Sequence, residues 1–363
     1  MIRQLTLDAL ALIIEHLIGD RRTLLRMTML RKDVYSLVLP VLYRSNDFLD
    51  LMETSPFCRA VLQHPESPGR FVHQLYMQVP FWGIASSPIT PDASIFQLIQ
   101  ESLHQMPNLR ALSLFGFSLF DPMELFDCPF KLDYLLITPP TTEHIAKFIR
   151  NQPTIVELNL ASFTISDQCV DANHFLDPKL LPNLRTITAC PNLIRTLAPG
   201  RPIEHVFLQI CTIHAIRKVD IVADIISLDQ TTTPIKSLYV DLDGHHEVSD
   251  WSFIELLKTT KVPLSLVRLT IKADLLAFAT QQAKHSDYLA SIAQLLQGFT
   301  SLQYFEVEEA IQGVIEEQPA AYEVISMVFA VLERQIDIAT LWKQNCPSLV
   351  SVKFFDRSTK PGF

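Results

Sequence analysis

Glycine is scarce, with nine residues in a chain of 363. Loops that cradle phosphate with backbone amides depend on it, and neither a GxGxxG fingerprint nor a P-loop occurs; GxSxG and HExxH are absent too. Cysteine is sparse. Its six residues (Cys58, Cys128, Cys169, Cys190, Cys211 and Cys346) are scattered singly, no CxxC pair exists, and there is no Asn-x-Ser/Thr sequon. That argues against a disulfide framework or a zinc ribbon and for reduced thiols, hence a cytoplasmic or nuclear protein. Charge is low, at 19% of residues, and the net value of −9 excludes a general nucleic-acid binder, which needs a basic stripe. Long apolar runs are missing as well. The longest uncharged stretch, Val72 to Pro91, carries three prolines and polar residues, so no membrane span is expected. The N-terminus, with Asp8 and Glu15, does not read as a signal peptide. A soluble chain is expected, with no cofactor and no metal.

Hydrophobic residues make up 48%, enough for a sizeable core. At the head of the chain Leu10, Ile13, Ile14 and Leu17 fall at i, i+3, i+4 and i+7, one apolar face of a helix. Thr6 is placed to cap it, Gly19 to stop it and Asp20 to cap a second helix containing Leu24 and Leu25. A third apolar segment from Val34 meets Pro40, which should end or kink it. Three short helices cannot bury this much apolar surface unaided, so a following domain or another protein must cover part of it.

The run Leu5-Thr6-Leu7-Asp8-Ala9-Leu10, then Ile13-Ile14-Glu15-His16-Leu17, then Asp20 to Arg26, followed by Leu39-Pro40-Val41-Leu42-Tyr43-Arg44, resembles an F-box. It is similar to the expanded F-box families of mushroom-forming fungi, departing from them in Thr6, where a proline is usual, and in lacking a tryptophan in the third helix. The resemblance implies a small helical bundle docking on a Skp-type adaptor of a cullin ubiquitin-ligase complex, with Leu5, Leu7, Leu10, Ile13, Ile14 and Leu17 as candidate adaptor contacts. The other reading of the same helices is an N-terminal cap on a repeat array, whose end must be covered.

Beyond residue 70 an apolar-x-x-apolar-x-apolar pattern recurs, usually one to three residues after a proline. Its copies begin at Leu109, Leu132, Ile155, Leu184, Ile203, Ile235, Leu266, Leu302 and Leu349, with a further one at Val72. Helical stripes fall between several copies, as at Ile95–Leu103, Ile145–Ile149 and Trp251–Leu257, and a long one is expected from Ala320 to Trp342. The last two apolar positions lie two apart and share one side of a strand, which only a stack of such units can bury. The pattern resembles leucine-rich repeats, irregular in length and mostly without the usual Asn. The expected fold class is therefore α/β, in three parts: a helical F-box-like module at 1–45, a linker or first cap at 46–70, and an irregular leucine-rich-repeat solenoid of parallel strands and intervening helices at 71–363, ending in a capping helix and strand. A three-layer α/β domain is the competing architecture.

Residues between the core positions point to the opposite side of the sheet. Among them Tyr134, Glu157, His205, Phe207, Tyr239, Arg268 and Tyr304 are the candidate contacts to a target protein, since Tyr, Phe and Arg dominate binding hot spots or fit such surfaces. The polar cluster Asp241 to Glu247 fails as a calcium loop because Tyr239 occupies a position that needs an acid, and a solvated loop is expected there. Nothing in the sequence points to an enzyme. The function expected is recruitment of an unknown target to a ubiquitin ligase. A repeat scaffold unrelated to ubiquitin is the alternative, and an α/β enzyme with an unrecognised site is a third class.

Overall fold

The computed structural model describes residues 6–64, 67–78, 93–115, 127–137, 142–160, 175–209, 223, 225–241, 251–273, 275–285, 287–309, 338–354 and 357–359. The chain divides into two compact units, Met1–Glu157 and Leu158–Phe363.

The first unit starts with helices α1 (Leu7–His16), α2 (Arg21–Thr28) and α3 (Lys32–Leu42). Local chemistry sets their limits. The Thr6 hydroxyl accepts from the Ala9 amide at 3.3 Å, Gly19 takes φ +101°, and Asp20 accepts from the Thr23 amide at 3.0 Å. Pro40 does not end α3, which runs on to Leu42. Only one helical hydrogen bond is lost there, in the last turn, and burial of Leu39 and Leu42 on either side holds the backbone. Ile14, Leu24, Val34, Val38 and Leu42 form the core of the three helices, with Leu10, Leu17 and Met27 packed against it. Each full burial stabilises by roughly 1.5–3 kcal/mol.

Residues 46–70, expected as linker or first cap, carry most of strand β1 (Ser45–Phe48) and helix α4 (Leu51–Gln63). Then come β2 (Gln74–Gln78), α5 (Ala93–Leu103), β3 (Ala111–Phe115), β4 (Tyr134–Ile137) and α6 (Thr142–Arg150). The strands β1 to β4 are parallel and lie side by side in chain order. The short β5 (Glu157–Asn159) falls where the chain divides.

The second unit repeats the scheme. Strands β6 (Thr186–Ala189), β7 (His205–Gln209), β8 (Ser237–Asp241), β9 (Arg268–Ala273), β10 (Tyr304–Glu309) and β11 (Ser351–Phe354) are parallel neighbours in sequence order. The last strand, β12 (Arg357–Thr359), pairs antiparallel with β11. Helix α7 (Pro191–Leu197) and helices at Ser252–Leu257, Val262–Ser265, Leu275–Lys284, Tyr288–Leu295 and Ile338–Asn345 lie between strands in the chain. The expected helix from Ala320 is described only from Ile338. Within each unit strand order never reverses, so neither has the switch point of a doubly wound sheet. The fold class is α/β, a repeat solenoid of parallel strands alternating with helices.

All three apolar positions of every copy identified above, from Val72 to Phe354, are buried. Four of the prolines ahead of them have one job. In Met106-Pro107-Asn108-Leu109 the Leu109 amide bonds back to the Met106 carbonyl, placing Pro107 second in a four-residue turn where its fixed φ fits; Pro153, Pro182 and Pro347 sit the same way. Immediately before most strands one carbonyl accepts two consecutive amides of the next repeat. Arg44 serves His73 and Gln74, His73 serves Arg110 and Ala111, Glu204 serves Lys236 and Ser237, and Gln303 serves Val350 and Ser351. This recurring double acceptance pins the register of neighbouring strands.

Side chains tie the inter-repeat loops together as well. Hydroxyls just ahead of a copy donate to the first core residue of the copy before: Thr154 to the Leu132 carbonyl at 2.7 Å, Ser265 to Ile235 at 2.9 Å and Ser348 to Leu302 at 2.8 Å. Buried Gln152 accepts from the Leu132 amide at 2.9 Å and donates to the Phe130 carbonyl at 3.1 Å. Arg201, fully buried, donates to the carbonyls of Phe175, Asp177, Leu180, Thr196, Leu197 and Pro199 at 2.7–3.3 Å. Burial lowers its pKa to about 10.

Candidate protein-binding surfaces

Two kinds of surface stand out, and the first is the outside of the N-terminal helices. Of the candidate adaptor contacts, Leu7 and Ile13 are well exposed, Ile14 lies in the module's own core, and Leu10 and Leu17 pack against that core. Leu5 lies outside the described residues. Leu12, Ile18, Leu25, Met29 and Leu30 are also exposed; Leu25 lies on α2, and Met29, four residues on, caps its end. The heptad-like spacing in α1 therefore marked mainly the inward face, while the largest outward apolar side chains come from α2 and its end.

The second surface is the outward side of the strands. In the second unit the rung Thr188–Phe207–Tyr239–Thr270–Glu306–Lys353 runs across six strands, with His205, Arg268 and Tyr304 on the adjoining rung. Phe207 is 38% exposed and lies 5.4 Å, centroid to centroid, from the ring of half-buried Tyr239. The Arg268 guanidinium stands 5.0 Å over the Tyr304 ring. Tyr239 donates to Glu308 at 3.4 Å, Thr270 to Glu306 at 3.3 Å, and Lys272 pairs with Asp241 at 3.2 Å. These bonds hold aromatic and charged side chains in place, so less conformational freedom remains to be lost when a partner docks. Not every outward position is solvated: Thr270, and in the first unit Ala111 and Ser113, are buried.

In the first unit Tyr134 is half-buried on β4, its ring 6.4 Å from that of Tyr76; burial first, then Glu157 and Tyr76, push its pKa up to about 12, so it stays protonated. Glu157 is exposed. Beside Tyr76 the outward face is hollowed to about 300 Å³, between Tyr76, Ser113, Phe115 and Leu136, with Asp47, Leu49 and Gln78 at the rim. Sequence reasoning missed this feature. Asp47 lies on a strand whose middle core position is polar, Asn46, and Leu136 and Phe115 look like core residues. Asn46 is nonetheless buried opposite Leu75, donating to the Tyr43 carbonyl at 2.7 Å and accepting from Arg21 at 3.3 Å.

Among the described residues no group of three or more His, Cys, Asp or Glu could hold a metal ion, and no helix is long and apolar enough to cross a membrane. The polar cluster after Asp241 lies outside the described residues. Burial pushes the Cys58 thiol up to about 11 and that of Cys128 up to about 12, and raises that of Cys346. These thiols are therefore protonated and weakly nucleophilic at neutral pH.

No family model matches the chain, and no curated protein matches it. Solved structures do. One is the leucine-rich repeat-containing protein LegL7 from Legionella pneumophila, 9% identical, with 87% of this chain and 93% of that one covered and a TM-score of 0.40. The repeat architecture of the present chain rests on its own strand register and on the burial of its recurring core positions.

Proposed function

We propose that the chain is the substrate-recruiting subunit of a Skp–cullin–F-box ubiquitin ligase, docking on a Skp-type adaptor through α1–α3 and holding a target protein on the outward face of its strands. The observation that carries this reading is a three-helix module with a filled core that still exposes Leu7, Ile13, Leu25, Met29 and Leu30. Exposed large apolar side chains are what a docking partner would cover; Met29, 85% exposed, would gain most of the roughly 1.5–3 kcal/mol of a full burial, and half-exposed Leu7, Ile13 and Leu25 about half of it. The chain itself performs no bond chemistry on this reading; it raises the effective concentration of target beside a conjugating enzyme.

The test is co-purification of the full chain with a Skp-type adaptor, against a Leu7→Asp/Met29→Asp variant. Point variants are preferable to removing residues 1–45, because the Arg44 carbonyl accepts the amides of His73 and Gln74 and its loss would disturb β2. One-to-one recovery by the intact chain alone supports the ubiquitin-ligase reading, and no recovery by a folded intact chain overturns it. A second reading, a protein-binding repeat scaffold unrelated to ubiquitin, draws on the ordered aromatic and charged side chains of the second unit and would survive that negative result.

A further inference from the structure

Ser113 is the small residue in a rung of larger ones. It stands between Tyr76 on β2 and Leu136 on β4 in strict parallel register, and Phe115 follows it on the same face. A short side chain between bulky neighbours leaves the hollow described above, with apolar walls and the Ser113 side chain among its lining. Ser113 is 7% exposed, yet its hydroxyl has no hydrogen-bond partner among the described residues. The hydroxyl oxygen itself is open to solvent at the hollow, so a side chain that displaces that solvent without offering a partner would leave it unsatisfied at a cost in free energy. At the rim, Asp47 is exposed and forms no ion pair among the described residues.

We infer that this hollow receives a tyrosine or tryptophan side chain of a target protein, with a lysine or arginine beside it in the target paired to Asp47. The inference rests on the reading that the outward strand face binds protein, and it names the chemistry recognised there. A purely aliphatic side chain would fill the apolar walls but leave the Ser113 hydroxyl sealed without a partner. A phenol O–H or indole N–H fills the same walls and reaches that hydroxyl, which can both donate and accept. Asp47 supplies the charge complementarity. It favours a basic neighbour and repels an acidic one, so it acts mainly on partner choice.

The experiment is selection from a displayed random-peptide library on the immobilised full chain, followed by fluorescence anisotropy with the recovered consensus peptide. The expected consensus pairs Tyr or Trp with an adjacent Lys or Arg. The Asp47→Lys variant, changed at an exposed position, is expected to weaken that peptide about fivefold and to reselect peptides with Asp or Glu beside the aromatic residue. Ser113→Phe, which fills the hollow, is expected to abolish binding, with circular dichroism confirming its fold. A consensus lacking the aromatic–basic pair, or binding indifferent to Asp47→Lys, overturns the inference. If recovered peptides respond instead to Tyr239→Ala, the protein-binding reading stands and the hollow is not the site; if the intact chain recovers no peptide, both fall. Adaptor co-purification by the same variants shows separately whether the ubiquitin-ligase reading holds.

Discussion

Arg201 shows how one residue can decide the stability of a region. Six backbone carbonyls converge on its guanidinium, and three of them, at Phe175, Asp177 and Leu180, belong to a segment with little regular structure of its own. Arg201→Met keeps most of the apolar volume but strands those carbonyls. The expected cost is about 3–5 kcal/mol in chemical denaturation, and Arg201→Lys should recover little of it, since a point charge with three donors cannot replace a five-donor fork. Cys58 gives a pH signature. Its folded pKa, about 11, lies above the unfolded value of 9.0 because burial penalises the thiolate. The associated stabilisation is complete below pH 9 and is lost as pH rises through about 11, on the order of 2–3 kcal/mol in all. Thermal melts between pH 8 and 11 should show this loss, and Cys58→Ala should make it smaller, leaving the part that comes from Cys128 and Cys346.

A repeat element here is a turn, a strand and a helix whose loop groups are satisfied by the next copy. The Ser265 hydroxyl, donating to the Ile235 carbonyl, is one such tie. Ser265→Ala is expected to lower stability by about 1 kcal/mol in urea denaturation. In the N-terminal module the same logic separates two kinds of leucine-like residue. Ile14→Asp buries a charge in the core and should leave the three helices unfolded, visible as lost helical circular dichroism. Met29→Asp changes a side chain that is 85% exposed and should leave the unfolding free energy within about 0.5 kcal/mol of the parent while weakening adaptor binding. Helix α1 was legible in the spacing of Leu10, Ile13, Ile14 and Leu17, but that spacing could not say which surface of the helix faced its neighbours. Leu10, Ile14 and Leu17 turned inward and Ile13 outward because α3 packs on one side only.

For the molecule as a whole, the second unit offers an outward face in which Phe207, Tyr239, Arg268 and Tyr304 are held by stacking and hydrogen bonds. Paired substitutions there, Phe207→Ala with Tyr239→Ala, are expected to reduce binding of a target captured on that face by at least about tenfold, the effect of removing two aromatic hot-spot residues. Adaptor co-purification should be unchanged, because the substituted residues lie outside α1–α3. Equal loss of both partners would mean that the substitutions unfold the chain, which a melting curve decides.

The recurring apolar-x-x-apolar-x-apolar pattern, its leading prolines and the caps of α1 and α2 were determined by the sequence alone. They follow from local rules: the period of two along a strand, the fixed φ of proline in a turn, and the side-chain oxygens that close a helix end. Copies as poor as Leu184-x-x-Ile187-x-Ala189 were readable because all three positions are still apolar. Strand β1 was not, since a buried Asn46 takes a core position and is satisfied by Arg21 and Tyr43, partners that no periodicity reveals. The tertiary structure alone decided the register of the strands, and with it which outward residues became neighbours. Phe207 beside Tyr239, Arg268 beside Tyr304, and the hollow over Ser113 depend on pairing between segments some 20 to 40 residues apart. Sequence fixes the side of the strand on which a residue lies; only packing and hydrogen bonding between repeats fix what stands next to it.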